Sequence, residues 1–400
     1  MTRVPWRRVS GRARCLAVLA AGGALVAAGC VPLSPPPPPP PVATYCAASA
    51  PSSPATYQAA FDALRHTYTE WASADESVPI DLPDGRVVWV FDDTSVGHVL
   101  ADGTLAPSNS FASNSFVVQS GACFTPLLGG VPLARTSLIP APAVNEWYWP
   151  TSGVVDAAHN QLLVFVLHVQ RTGAGPLDFT IVDVRVATFS LPGLTLTGVQ
   201  PLPFPTSSLA YGSTSFDDAT NATAPDVYAY VSNKRNVYVA RATADEVLTG
   251  PWQFWDGTGW SADSTQAAPM VWNGIPSSFD PGHALGPGSG PAAQPALIAD
   301  GSGYLLTTKL ADAFSSDVSV FTGATPAGPW TYVGQVADTT QPDTIAYGAY
   351  SQLTLPGTSG PTTVYNTNVS PFLANPPPAT IQSYGPHFVV PDPTVFPPPP

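Results

Sequence analysis

Thr249-Gly-Pro-Trp252 followed by Phe254, and Ala327-Gly-Pro-Trp330 followed by Tyr332, are two near-copies of one short pattern. In each, a Gly-Pro turn delivers a Trp and, two residues on, a second aromatic, as a strand with one packed face requires. Periodic aromatic marks of this kind are expected of the blades of a β-propeller. The surrounding chain is made of short runs rich in Val, Tyr, Phe and Thr, broken by Gly, Pro, Asn and Asp. Examples are Arg86 to Phe91, Gln161 to His168, Val227 to Val231, Asn236 to Arg241, Val318 to Phe321 and Thr362 to Tyr365. About five such units follow from Val87 to the C-terminus, which suits a small propeller around a central channel. A two-sheet sandwich would leave the repeated Gly-Pro-Trp unexplained.

One helix is expected, from Thr56 to Ala72, because Tyr57, Phe61, Leu64, Tyr68 and Trp71 recur at helical spacing and so share a face. The fold class predicted is therefore all-β, a five-bladed β-propeller with one N-terminal helix. The domain is expected to occupy 46–390, and the Pro-rich end 391–400 reads as a disordered tail.

Residues 1–29 read as a secretory signal: five arginines and no acid precede the apolar stretch Leu16 to Ala28. Ala27-Ala28-Gly29-Cys30 resembles a lipobox, which implies cleavage before Cys30 and a diacylglyceryl anchor upon it. A plain secreted protein is the alternative. Residues 30–45 form a linker containing the proline run Pro35 to Pro41, a stiff polyproline spacer. These features predict an extracytoplasmic protein held to the membrane through its lipid.

Of 14 basic residues, five lie in the leader, leaving nine against 27 acidic ones. Phosphate backbones need clustered Lys and Arg, so no nucleic-acid partner is expected. Phosphate-loop, His-Glu-x-x-His and Gly-x-Ser-x-Gly motifs are missing from the sequence, so nucleotide enzyme, zinc protease and α/β serine hydrolase are unsupported. Cys15 belongs to the leader and Cys30 to the anchor, so Cys46 and Cys123 most simply form one disulfide in an oxidising compartment.

At Leu82-Pro-Asp-Gly-Arg-Val-Val-Trp-Val-Phe-Asp-Asp-Thr94 the chain resembles a family of actinobacterial secreted propellers, once known only as a domain of unknown function. That family includes endo-D-arabinofuranases, glycosidases of mycobacterial arabinan. Its strand ends in Gly-Asp-Thr with a Gly shortly after. Asp93, Thr94 and Gly97 match, and Asp92 stands where the family has Gly. Trp147-Tyr-Trp-Pro150, Tyr211-Gly212, Trp255 to Trp260, Gln294-Pro295 and Tyr365-Asn-Thr-Asn368 match in order. More distantly the chain is similar to the five-bladed glycosidase clan of arabinanases and fructosidases. The resemblance implies a cell-wall polysaccharide containing arabinose as substrate, with Thr94, Trp147, Trp149, Tyr211, Gln294 and Asn366 as substrate contacts.

Glycosidases use two carboxyl groups across the scissile bond. Asp93 is the first candidate, ending an apolar run where an inner strand would reach the channel; its structural alternative is an Asx-turn. Glu146 is the candidate proton donor, set in Glu-Trp-Tyr-Trp where aromatic neighbours would desolvate it. Asp92 is a further carboxylate, but successive strand residues face opposite ways, so Asp92 and Asp93 are not expected to share a site unless the chain bends. No cofactor and no metal site are expected from histidine spacing. Asp217-Asp218 is a candidate calcium or substrate contact, with a solvated loop as its alternative, and some related arabinanases hold an ion in the channel. The competing functional reading is a non-catalytic propeller that binds glycan or a protein partner.

Overall fold

The computed structural model describes residues 44–396 apart from 108, 176, 205–213, 219–225, 234–235, 277–294, 300–302, 311–313, 340 and 353–354. Ser53 caps the helix Pro54–Thr67: its hydroxyl accepts from the Thr56 amide while Thr56 answers the Ser53 amide. The helix ends five residues before the expected Ala72, because Tyr68 turns extended. Tyr68 and Trp71 are nevertheless buried, so the apolar spacing continues into the core on non-helical backbone.

The strands assemble, among the described residues, into five principal sheets in chain order. The first runs Tyr45–Cys46, Cys123–Leu127, Ser115–Ser120, Val87–Phe91, Val78–Asp81. The second is the meander Glu146–Asp156, Gln161–Arg171, Phe179–Ser190, Thr195–Pro201, and the third the meander from Thr214–Asp218 to Trp260–Ser261. The fourth holds Trp272–Asn273, Trp330–Asp338, Asp317–Gly323, Tyr304–Thr308 and Ala296–Ala299; the fifth holds Thr344–Gln352, Thr362–Val369 and Gly385–Val389. The two Gly-Pro-Trp copies serve the third and fourth sheets alike. Gly250 and Gly328 both take left-handed backbone, at φ +73° and +81°, and Trp252 and Trp330 are both buried. The Asp256 hairpin is also as expected, its carboxylate accepting from the Thr258 and Gly259 amides.

Sheet faces meet in sequence order. Phe116 and Val118 of the first pack with Val164 and Phe189 of the second. Phe165 and Val186 pack with Ala229 and Phe254 of the third, whose Tyr230 and Val239 pack with Leu306 and Trp330 of the fourth. The helix joins the first sheet to the fifth, burying Tyr57, Phe61 and Leu64 among Trp89, Phe124, Val364 and Phe388. Its fully buried Arg65 donates to the carbonyl of Ile381 at 2.7 Å. Cys46 and Cys123 are disulfide-bonded and sit opposite each other in the ladder. No helix among the described residues is long and apolar enough to cross a membrane.

Candidate active site

Two short strands, Ser73–Ala74 and Thr94–Val96, pair antiparallel with Ala74 opposite Thr94. Beyond that pair the chain bends on both sides. The Asp75 amide donates to the Asp93 carbonyl at 3.1 Å, and the Asp92 amide to the Asp75 carbonyl at 2.9 Å. Glu76 takes a left-handed backbone, φ +44°, a conformation that costs a non-glycine residue about 1–3 kcal/mol and concentrates at functional sites. The result is that Asp75, Glu76, Asp92 and Asp93 all line one cavity of ≈ 430 Å³. The bend on which a shared site for Asp92 and Asp93 depended is present, and both line the cavity. Strand alternation does not apply to them, because Val87–Phe91 ends before Asp92 and the next strand begins at Thr94.

Apolar and aromatic residues make up most of the remaining wall, notably Trp149, Phe179, Phe314, Ile345 and Tyr347. Two of them bind acids directly: the Trp149 indole N–H donates to Asp93 Oδ1 at 2.9 Å, and the Tyr347 hydroxyl to Asp75 Oδ2 at 2.5 Å. The Tyr350 hydroxyl donates to Glu76 Oε2 at 2.7 Å, and Tyr384 donates to the Asp93 carbonyl. Burial raises all three tyrosines well above their ordinary range, the neighbouring acids adding to it, so they serve as donors.

The four acids differ in what opposes their burial. Desolvation raises every one of them. For Asp93 the Trp149 hydrogen bond and the Arg171 charge pull the other way; for Glu76 the Tyr350 hydrogen bond and the Lys309 charge do. Asp75 has the Tyr347 hydrogen bond and, among the described residues, no cation, while the charge of Asp93 pushes it further up. Among the described residues neither a donor nor a cation offsets the burial of Asp92, and the charges of Glu76, Asp75 and Asp93 add to its desolvation. Asp75 Oδ1 and Asp92 Oδ1 are buried without a hydrogen-bond partner. Neighbouring carboxyls pushed to different proton affinities are what general acid and base chemistry needs.

Of the residues expected from sequence, Asp93, Asp92 and Trp149 are brought together on the cavity wall. Thr94 is buried behind it, donating to the Asp92 carbonyl at 2.8 Å and sharing a hydrogen bond with Ser115. Trp147 packs edge-on against Trp149, with the Arg171 guanidinium 5.1 Å from its ring. Glu146 is not on the wall: its Oε2 lies 2.8 Å from His168 Nε2, and Gln170 donates to its Oε1. Asn366 is fully buried, accepting from Ser77, while Asn368 on the same strand lines the cavity. A Cβ on Gly348 would lie 3.0 Å from Glu76 Oε2 and 3.3 Å from Asn366 Nδ2, so Asn366 stands close behind Glu76. Tyr211, Gln294 and Cys30 lie outside the described residues, and Asp217-Asp218 ends the strand Thr214–Asp218.

Sequence reasoning missed Asp75, Glu76 and Tyr347, and chose Asn366 over Asn368 within Tyr365-Asn-Thr-Asn368. For Asp75 and Glu76 the available signal was a pair of adjacent acids closing the uncharged stretch Trp71-Ala-Ser-Ala74. Among the described residues no group of three or more His, Cys, Asp or Glu is disposed to hold a metal ion.

This mostly β fold with one helix is similar to that of a candidate hydrolase from Bacteroides ovatus. The two share 21% identity at a TM-score of 0.60, over 82% of this chain and 88% of that one. Weaker likenesses link it to a β-xylosidase/α-arabinofuranosidase from a compost metagenome (TM-score 0.45, 14% identity, 81% and 89% covered) and to a GH43 enzyme from Xanthomonas citri (0.39, 14%, 77% and 87%). No curated protein matches. Residues 58–390 match the model of DUF5005, a domain of unknown function, and the chain belongs to that family.

Proposed function

We propose that this protein is a glycoside hydrolase of the cell envelope, acting on arabinose-containing polysaccharide of the arabinogalactan or lipoarabinomannan type. The observation that carries the reading is the wall of four carboxyls facing aromatic rings in one cavity. Aromatic faces suit the apolar faces of sugars, and paired carboxyls of unequal proton affinity suit glycosidic cleavage. Asp75, raised by burial and without a cation, keeps its proton and gives it to the departing glycosidic oxygen. Asp93, with the Trp149 donor and the Arg171 charge beside it, acts as the carboxylate toward water or the anomeric carbon. The sequence resemblance to endo-D-arabinofuranases supports the choice of arabinose.

In this reading the five principal sheets are the blades of a propeller, with the helix joining first to last. Cys30 carries the lipid and Pro35 to Pro41 spaces the domain from the membrane. Incubating the mature protein with arabinogalactan and with lipoarabinomannan, and resolving the products by chromatography, tests the reading. Soluble oligosaccharides are expected. Retention of the glycan without cleavage would assign the protein to non-catalytic binding instead.

A further inference from the structure

The aromatic residues of the cavity form two groups, not one. Trp149 packs against Phe179 at 4.9 Å and Trp147 at 5.5 Å between ring centroids. Tyr347 packs edge-on against Phe314 at 6.3 Å, and Phe314 against Phe372 at 6.4 Å. Each group is tied to a different acid, Trp149 to Asp93 and Tyr347 to Asp75, and those acids are joined by one backbone hydrogen bond. The two groups are therefore each anchored on a different member of the acid pair. The second group leads outward: Tyr347 and Phe314 line the cavity, Phe314 is 37% exposed, and Phe372 is 67% exposed.

A phenyl ring this exposed, contiguous with a cavity wall, has no role in the core and loses nothing of its own polarity when covered. We propose that Phe314 and Phe372 form an outer subsite that stacks a sugar ring of the glycan, on the Tyr347 side of the acids and beyond the bond that is cut. The inference rests on the glycosidase reading for its substrate. A sugar is the occupant that fits, because the subsite continues a cavity whose other wall is carboxyls, which disfavour anionic ligands, and because flat aromatic faces match the apolar faces of neutral sugars. A chain held at once on Trp149 and on Phe372 spans the acids, so polymer gains from the outer subsite and short substrates do not.

The test uses Phe372→Ala and Phe372→Trp in the mature protein, with arabinogalactan and a short aryl arabinofuranoside as substrates and affinity electrophoresis in arabinogalactan as a binding readout. Phe372→Ala should raise KM for the polysaccharide about tenfold, the scale of one lost stacking contact, and leave the aryl substrate unchanged. Phe372→Trp should restore the polymer value. Unchanged polymer kinetics in Phe372→Ala, or an equal loss on both substrates, would overturn the subsite. A wild-type protein that is retarded by the glycan yet cleaves nothing refutes the glycosidase reading alone, and reduced retardation of Phe372→Ala then still supports the subsite. Retardation equal to wild type, or a wild type that neither binds nor cleaves, refutes it.

Discussion

Asp75 and Asp93 are fastened to each other by backbone, the Asp75 amide donating to the Asp93 carbonyl at 3.1 Å. Their carboxyl groups are thus placed by main-chain pairing and not by each other, so either side chain can be altered while its neighbour stays in place.

Asp75 is the acid expected to donate the proton, and Glu146 is held by His168 away from the cavity. Asp75→Asn, whose amide oxygen can still accept from Tyr347, should lower kcat by about 10²–10⁴, the range for losing a general acid. Glu146→Gln should keep activity within about twofold of wild type. Steady-state kinetics on the two variants decides between them, and the opposite ranking would return the donor role to Glu146.

Asp92 supplies a stability test. Burial and the charges of Glu76, Asp75 and Asp93 raise it well above 3.8, so the folded chain holds this proton more tightly than the unfolded one. Its stabilising contribution is full below the unfolded value and is lost as pH rises through the raised folded value. Asp92→Asn cannot ionise, so its melting temperature at pH 7 should exceed wild type by a few degrees and fall less between pH 4 and pH 8. Thermal denaturation across that range is the measurement; an Asn variant that melts lower at pH 7 would show that the ionised carboxylate stabilises the fold.

The Cys46–Cys123 bond closes a loop of 77 residues, which chain-entropy arguments value at roughly 4 kcal/mol. Cys46→Ser with Cys123→Ser should therefore shift the urea midpoint downward without abolishing the all-β circular dichroism spectrum. An unshifted midpoint would mean that the pairing of Tyr45–Cys46 with Phe124 and Cys123 suffices alone.

If Cys30 bears the lipid, full-length protein made in a bacterial host should sediment with membranes, and Cys30→Ser should appear in the medium. A Cys30→Ser protein that stays with the membrane would rule out this anchor.

Repeats and periodicity were readable where the cause is local. The Gly-Pro-Trp copies mark the same left-handed glycine and buried Trp in two successive sheets, and Tyr57, Phe61 and Leu64 do form one helix face. Glu146 shows how local reading misleads. In an extended strand Trp147 and Trp149 face one way and Glu146 and Tyr148 the other, so the indoles that surround Glu146 in sequence do not surround it in space. It meets His168 instead. Asp75 and Glu76 were not legible because what makes them chemical lies far along the chain: Tyr347 is 272 residues from Asp75, and Tyr350 is 274 from Glu76. Asp92 and Asp93 share the cavity because the chain bends between two strands; the Asx-turn reading of Asp93 allowed a bend there but not where it would aim the two carboxyls.

The central claim is that Asp93 acts on a glycosidic bond in this cavity. Release of reducing ends from arabinogalactan by wild type and by Asp93→Asn, with binding to the same glycan measured in parallel, tests it most directly. Wild type should release oligosaccharides, and Asp93→Asn should lose activity by about 10² or more while binding as well as wild type, because the amide keeps the shape and the Trp149 hydrogen bond but cannot serve as base or nucleophile. An Asp93→Asn protein with full activity, or a wild type that binds arabinan and never cuts it, would contradict the account.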